Sequence, residues 1–209
     1  MSRNPLFTLP LFSSRLVCNQ RADIGFIVDS SGSVRINGFR RSKEFIKFVL
    51  RRFKISETDI HVGLMRFSSR ATTIFGFEEY FTHGEIDDAI DRMKFVKGGT
   101  RTDRALRLAR NKLFLEKPVG MSRPNIPKFL VLMTDGISTH PRITAMEADL
   151  LKKKGVHIIV VAIGRAIHLQ ELLSVASTPR NVVSVTSFAK LKRIVAITKE
   201  KVCGGEFHS

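Results

Sequence analysis

The sequence predicts an α/β domain with a doubly wound, mostly parallel six-stranded sheet, one antiparallel edge strand and helices on both faces. Three observations carry that prediction. Short apolar runs alternate with amphipathic segments of helical period, and such alternation demands crossover connections, hence parallel strands. The apolar runs, of which Ile158 to Ile163 and Phe129 to Met133 are the longest, fall well short of the roughly 18 residues that a membrane-spanning helix needs. With 209 residues and 43% hydrophobic content, the chain can bury one core of ordinary size.

Ala22 to Val28 is apolar, too short for a helix and bounded by polar residues, which reads as a central strand. Ile36, Phe39, Ile46, Val49 and Phe53 then recur at helical spacing with Arg40, Lys43, Lys47 and Arg51 between them, an amphipathic helix. Ile60 to Phe67 and Ala71 to Phe77 are β-rich runs joined by three residues, an antiparallel pair whose second member lies at the edge. Helical period returns over Ile86 to Met93 and, past the Gly98-Gly99 break, over Asp103 to Leu115. The remainder alternates: strand Lys128 to Thr134, helix Thr144 to Lys154, strand Val156 to Ile163, helix Leu169 to Ala176, strand Val182 to Val185 and a last helix from Phe188 to Val202. Right-handed crossovers place these helices on both faces.

Ligands of such sheets bind beyond the carboxyl ends of the strands, where the strand order reverses. The first strand runs into Asp29-Ser30-Ser31-Gly32-Ser33, and the strand from Lys128 runs into Thr134-Asp135-Gly136. A carboxylate and two hydroxyls at alternating positions, with a second carboxylate from another strand, form an all-oxygen set suited to a hard divalent cation. Mg²⁺ fits best because it accepts few protein carboxylates and keeps several waters; Mn²⁺ and Ca²⁺ are alternatives. Gly32 and Gly136 are expected to let the backbone turn sharply.

Asp23 to Ser33 resembles the first strand and metal loop of von Willebrand factor type A domains. Gly98-Gly99-Thr100-Arg101-Thr102 resembles that family's second metal loop, and Pro127 to Gly136 its third. The resemblance runs from about Cys18 to Cys203. It implies a metal-ion-dependent adhesion site formed by Asp29, Ser31, Ser33, Thr100 and Asp135, with an acidic side chain of the partner completing the coordination. Thr102, before Asp103, is the expected helix cap. The approach Arg123-Pro124-Asn125-Ile126-Pro127-Lys128 is similar to the extracellular-matrix members, such as matrilins and the collagens that carry these domains. The resemblance thus implies a secreted, non-catalytic adhesion module that binds a matrix protein such as collagen.

Cys18 and Cys203 bracket the matched region. Adhesive members of the family close the module with one disulfide, which these two cysteines resemble; unpaired thiols or links to other chains are the alternatives. The domain is accordingly expected at 18–203, with a leader or disordered segment at 1–17 and a tail at 204–209. Residues 1–17 combine Arg3 with a short apolar run interrupted by Pro5 and Pro10, a weak match to a secretory signal. A cleaved signal, a disordered leader and a fragment boundary all remain open.

Lys and Arg outnumber Asp and Glu 35 to 19, a formal charge of +16, which concentrates polyanions by long-range attraction. The second function class is therefore an electrostatic binder of sulfated glycosaminoglycan or an acidic matrix surface, with Arg40, Arg41, Lys152, Lys153, Lys190 and Lys192 as candidates and a structural ion. Solvated helix faces are the alternative reading. No nucleophile elbow, phosphate-binding loop, dinucleotide fingerprint or zinc spacing occurs, and no specific nucleic-acid partner is expected. The loop after the first strand also resembles that of phosphoryl-transfer enzymes, but Ser31 stands where they carry a second carboxylate, so no enzymatic activity is expected.

Overall fold

A computed structural model describes residues 21–116, 121–135, 137–163 and 168–185. Strand β1 (Ala22–Asp29) leads to helix α1 (Arg35–Leu50), then β2 (Ile60–Phe67), β3 (Ala71–Phe75) and α2 (His83–Arg92). Helix α3 (Thr102–Leu108) runs into one π turn, Ala109–Leu113, before β4 (Lys128–Thr134). Helix α4 (Pro141–Lys153), β5 (Val156–Ile163), α5 (Leu169–Val175), a 3₁₀ turn (Pro179–Asn181) and β6 (Val182–Val185) follow.

The sheet order is β3-β2-β1-β4-β5-β6, with β3 antiparallel to β2 and every other pair parallel. The chain builds outward from β1 to one side, then returns to place β4 on β1's other side. The reversal therefore falls between β1 and β4, whose carboxyl ends carry Asp29 and Asp135.

Alternation of side chains divides the core in two. Ile24, Phe26 and Val28 of β1, with Phe129, Val131 and Met133 of β4, pack against Phe45, Ile46 and Val49 of α1 and Ile86 and Ile90 of α2. Ile27, Leu130, Leu132, Ile158 and Val160 meet Leu106 of α3, Leu151 of α4 and Leu172 of α5 on the opposite face.

The limits of several elements differ from the sequence expectation for identifiable reasons. Helix α2 starts three residues early because Thr82 and Glu85 form a reciprocal capping box. Helix α4 starts at Pro141, whose missing N–H costs nothing in a first turn. Thr102 is no cap; it lies buried inside the first turn of α3, and Arg101 holds the cap position. Ile36, counted in the buried stripe of α1, is 58% exposed, because the stripe begins at Phe39. Strand β3 stops at Phe75, two residues short. Gly32 has no positive φ, and an added Cβ there would meet nothing nearer than 3.6 Å, so conformational freedom does not explain it. Gly136, the helix expected at 188–202, Cys18 and Cys203 lie outside the described residues.

Helix α3 was expected to continue to Leu115; instead the Phe114 amide donates to the Ala109 carbonyl at 2.8 Å, closing the π turn. Leu113 and Phe114 are both buried over Gly25 and Gly63, which face each other across β1 and β2. A Cβ on Gly63 would lie 2.5 Å from Leu113 Cδ1, and one on Gly25 2.9 Å from Phe114 Cζ. The paired glycines form a trough that seats the turn. Gly63→Ala should therefore destabilise by about 2 kcal/mol through overpacking, read as a fall in Tm of about 4–8 °C. In the double variant with Leu113→Ala the two costs should fall short of their sum, because the truncated side chain vacates the space the methyl needs. Simple additivity would show that Leu113 is not what the methyl strikes.

Candidate metal site

Asp29 ends β1 fully buried. Its Oδ1 accepts the Ser31 amide at 2.7 Å, and its Oδ2 accepts the Thr134 hydroxyl from the adjacent end of β4 at 2.8 Å. The Ser31 and Ser33 hydroxyls lie 3.0 Å apart. Ser31 is buried, Thr100 and Asp135 are half-buried and Ser33 is exposed, so the donor residues run from a buried base to an open rim.

Burial pushes the Asp29 carboxyl up from 3.8 to about 6, against the pull of its bonds to Ser31 and Thr134, and the nearby negative charge of Asp135 adds a smaller upward push. The Asp135 carboxylate thus sits close enough to oppose the ionisation of Asp29. That is an electrostatic environment which a cation relieves.

The three loops are laced together by hydrogen bonds of the main chain and of serine and threonine hydroxyls. Gly32 N–H donates to Gly98 O at 2.9 Å, and the Ser30 hydroxyl bridges the amide and carbonyl of Val96. Ser69 Oγ accepts Gly99 N–H at 2.9 Å, and Ser68 O accepts Arg101 N–H at 3.0 Å. Gly98 has no room for a side chain, since a Cβ would lie 2.8 Å from Ser69 Oγ. Thr100 O accepts both the amide (2.8 Å) and the hydroxyl (3.1 Å) of Thr139, from the loop after β4. Arg101 grips Asp103 with two guanidinium bonds of 2.8 and 2.6 Å, holding that carboxyl low. His140, at the start of α4, adds a small favourable charge to Asp103.

Asp29, Ser31, Ser33 and Asp135 are therefore gathered at one point of the sheet edge, and the Thr100 loop is bonded to both neighbouring loops. Sequence reasoning missed the supports: Ser30, Ser69, Thr134 and Glu171, whose buried carboxylate accepts the Ser138 amide at 3.1 Å. Thr134 carried a signal as the residue before Asp135. Glu171 is remote in sequence and carried none.

Among the described residues no three His, Cys, Asp or Glu side chains converge as a metal cluster. The donor set at this edge is instead two carboxylates and hydroxyls, all oxygen, which fits a hard ion completed by water better than a thiophilic one.

The polyanion candidates do not form one patch. Arg40 and Arg41 lie exposed on α1, whereas Lys152 and Lys153 end α4 on the opposite face of the sheet. Lys152 is moreover bonded to Asp149 at 2.7 Å and to the Ser174 carbonyl at 3.2 Å. Lys190 and Lys192 lie outside the described residues. Helical period places charges on outer faces but does not decide which helices share a side.

The family model of the von Willebrand factor type A domain matches residues 23–197. The chain belongs to that family. Among relatives, bovine (Bos taurus) vitrin is 35% identical over 98% of this chain, and the human (Homo sapiens) collagen alpha-5(VI) chain is 32% identical over 88%. The chain spans only 31% of that vitrin's length and 7% of that collagen's. Among solved structures, proximal thread matrix protein 1 from the mussel byssus, determined with a zinc-occupied metal-ion-dependent adhesion site, superposes with a TM-score of 0.76. It is 30% identical, and the match covers 90% of this chain and 47% of that one. This von Willebrand factor type A domain is thus of the extracellular-matrix type, with a sheet of five parallel strands and one antiparallel edge strand.

Proposed function

We propose that the domain is the non-catalytic ligand-binding module of a secreted matrix protein. It holds a divalent cation, Mg²⁺ before Mn²⁺ or Ca²⁺, through Asp29, Ser31, Ser33, Thr100 and Asp135. When bound, that cation supplies a concentrated positive charge that an acidic side chain of a partner, a collagen among the candidates, coordinates. Asp29 anchors the site from its buried position, Ser31 and Ser33 supply neutral oxygens, and Asp135 and Thr100 close the rim. The sparse negative charge suits this role, because an under-neutralised cation still attracts an external carboxylate.

The observation that carries the reading is the buried Asp29 carboxyl at the strand-order reversal, with Asp135 beside it and the Ser31–Ser33 hydroxyl pair adjoining. The matrix relatives and the metal-loaded byssus protein support it. The proposal includes a domain spanning 18–203 and closed by a Cys18–Cys203 disulfide, which implies an oxidising compartment. Among the described residues no helix is long and apolar enough to cross a membrane.

The test is a solid-phase screen of fibrillar and network-forming collagens and other matrix proteins, run in Mg²⁺ and in EDTA, with Asp29→Asn alongside. Binding is expected in Mg²⁺ alone and is expected to vanish in the variant. Equal capture in EDTA, or by the variant, would refute the metal-bridged mode.

A further inference from the structure

A second charged feature lies on the flank of the sheet, apart from the five proposed metal donors. Arg104, Arg107, Leu108 and Lys112 recur at three- and four-residue steps along α3 and its π turn, so they share one helix face. That face stands over Arg70 and Ala71, where β3 begins. Between them runs an open cleft of about 460 Å³, lined by Arg70, Arg104, Arg107 and Lys112 together with Ala71, Leu108 and Asn111. The volume lies within the range of small-ligand sites.

The cationic groups here are under-neutralised. Among the described residues no carboxylate pairs with Arg70, Arg104 or Lys112. Arg107 and Arg110 share the single carboxylate of Glu147, at 2.7 and 3.0 Å, and Glu147 is only 2% exposed. Two guanidiniums are also held in place before any ligand arrives. Arg104 Nη1 donates to Ser69 O at 3.0 Å, and Arg107 Nε donates to Glu147. Preorganised forks lose less entropy on binding an oxyanion than free lysines do.

We infer that this cleft is a binding site for a sulfated polysaccharide. Guanidinium is weakly hydrated and its fork matches an oxyanion that accepts two bonds, as a sulfate ester does. The apolar side chains of Ala71 and Leu108 in the lining suit the C–H face of a sugar ring. The molecule's excess positive charge draws a polyanion toward it from a distance. The inference does not rest on the metal site, although Ser69 adjoins both: its carbonyl accepts Arg104, and its hydroxyl accepts Gly99 of the Thr100 loop.

The experiment measures affinity for a size-defined sulfated heparin hexasaccharide by titration at several salt concentrations, in EDTA and again in Mg²⁺. Comparison ligands are the desulfated, N-acetylated hexasaccharide and a poly-glutamate decapeptide. The variant Arg70→Ala/Arg104→Ala/Lys112→Ala should bind at least about tenfold more weakly, with a salt slope shallower by about two, because fewer counterions are released. The control Arg40→Ala/Arg41→Ala/Lys153→Ala removes the same charge elsewhere and should stay within about threefold of wild type, as expected for long-range attraction alone. Arg104→Lys keeps the charge without the fork and should recover only part of the loss. Both triple variants should keep the wild-type Tm and response to Mg²⁺, which separates this result from failure of the metal reading. Equal losses in the two triple variants, or none in the first, would remove the cleft as the site. Equal affinity for the desulfated sugar or the acidic peptide would overturn the assigned ligand class.

Discussion

Asp29→Asn should abolish stabilisation by Mg²⁺ or Mn²⁺, weakening metal affinity by about 100-fold or more, since loss of even a supporting partner of a metal ligand typically costs 10- to 100-fold. The same substitution should leave the metal-free fold intact at neutral pH. Burial raises the Asp29 carboxyl to about 6, so its ionisation at neutral pH costs the folded, metal-free domain stability that a neutral asparagine does not lose. Asparagine keeps the shape and the acceptor for Ser31 N–H, and the Thr134 hydroxyl can turn to accept from the amide.

For this raised carboxyl the stabilising proton is fully in place below the unfolded value of 3.8, and the contribution is lost as pH rises through about 6. The difference amounts to about 3 kcal/mol. In EDTA the stability of wild type relative to Asp29→Asn should therefore fall between about pH 4 and pH 6 and level off above. In Mg²⁺ the cation favours the ionised form, so the metal-dependent rise in Tm should grow over that same interval, and binding below about pH 6 should release a proton. Thermal melts across pH with and without metal read both effects. A metal response in Asp29→Asn equal to wild type would remove Asp29 from the site.

Arg123→Ala should cost about 3–5 kcal/mol by leaving a buried charge without its partner. Asp23, at the start of β1, is fully buried at the end of the sheet opposite the metal loops. It accepts the Arg123 guanidinium and the Arg123 amide, each at 2.8 Å. The guanidinium also donates to the carbonyls of Ala22 and Asp59, at 3.0 and 2.9 Å, tying the approach to β4 against β1 and the start of β2. Truncation leaves Asp23 with one main-chain donor and frees the carbonyls of Ala22 and Asp59. The expected fall in Tm is about 10 °C or more. The double variant Asp23→Leu/Arg123→Met should recover most of it, because the burial penalty disappears along with the charge. Urea titration decides the matter: a loss under about 1 kcal/mol for Arg123→Ala would mean that solvent reaches Asp23.

That ion pair also accounts for the Arg-Pro-x-x-Pro-Lys approach, legible in the sequence only as a likeness. Its arginine neutralises the first acidic residue of the opening strand, and Pro127 O accepts the Asp23 amide at 2.9 Å. The two residues are 100 positions apart. Nothing in the period or composition of either segment announces the contact.

The sequence by itself determined the alternation of strands and helices, the limits of β2, β4, β5 and β6, and the carboxylates and hydroxyls at the carboxyl ends of β1 and β4. These are written locally: a period of two or 3.6 reports which face is buried, and polar residues that interrupt an apolar run mark its end. Only the tertiary structure decided that Gly25 and Gly63 seat a π turn and that Glu171 steadies the loop beyond Asp135. It likewise separated the predicted basic faces and placed Arg70, Arg104 and Lys112 around one cleft. The reason is that burial constrains residue type at each position. Which surface charges become neighbours depends on strand order and helix packing, and no local pattern records those.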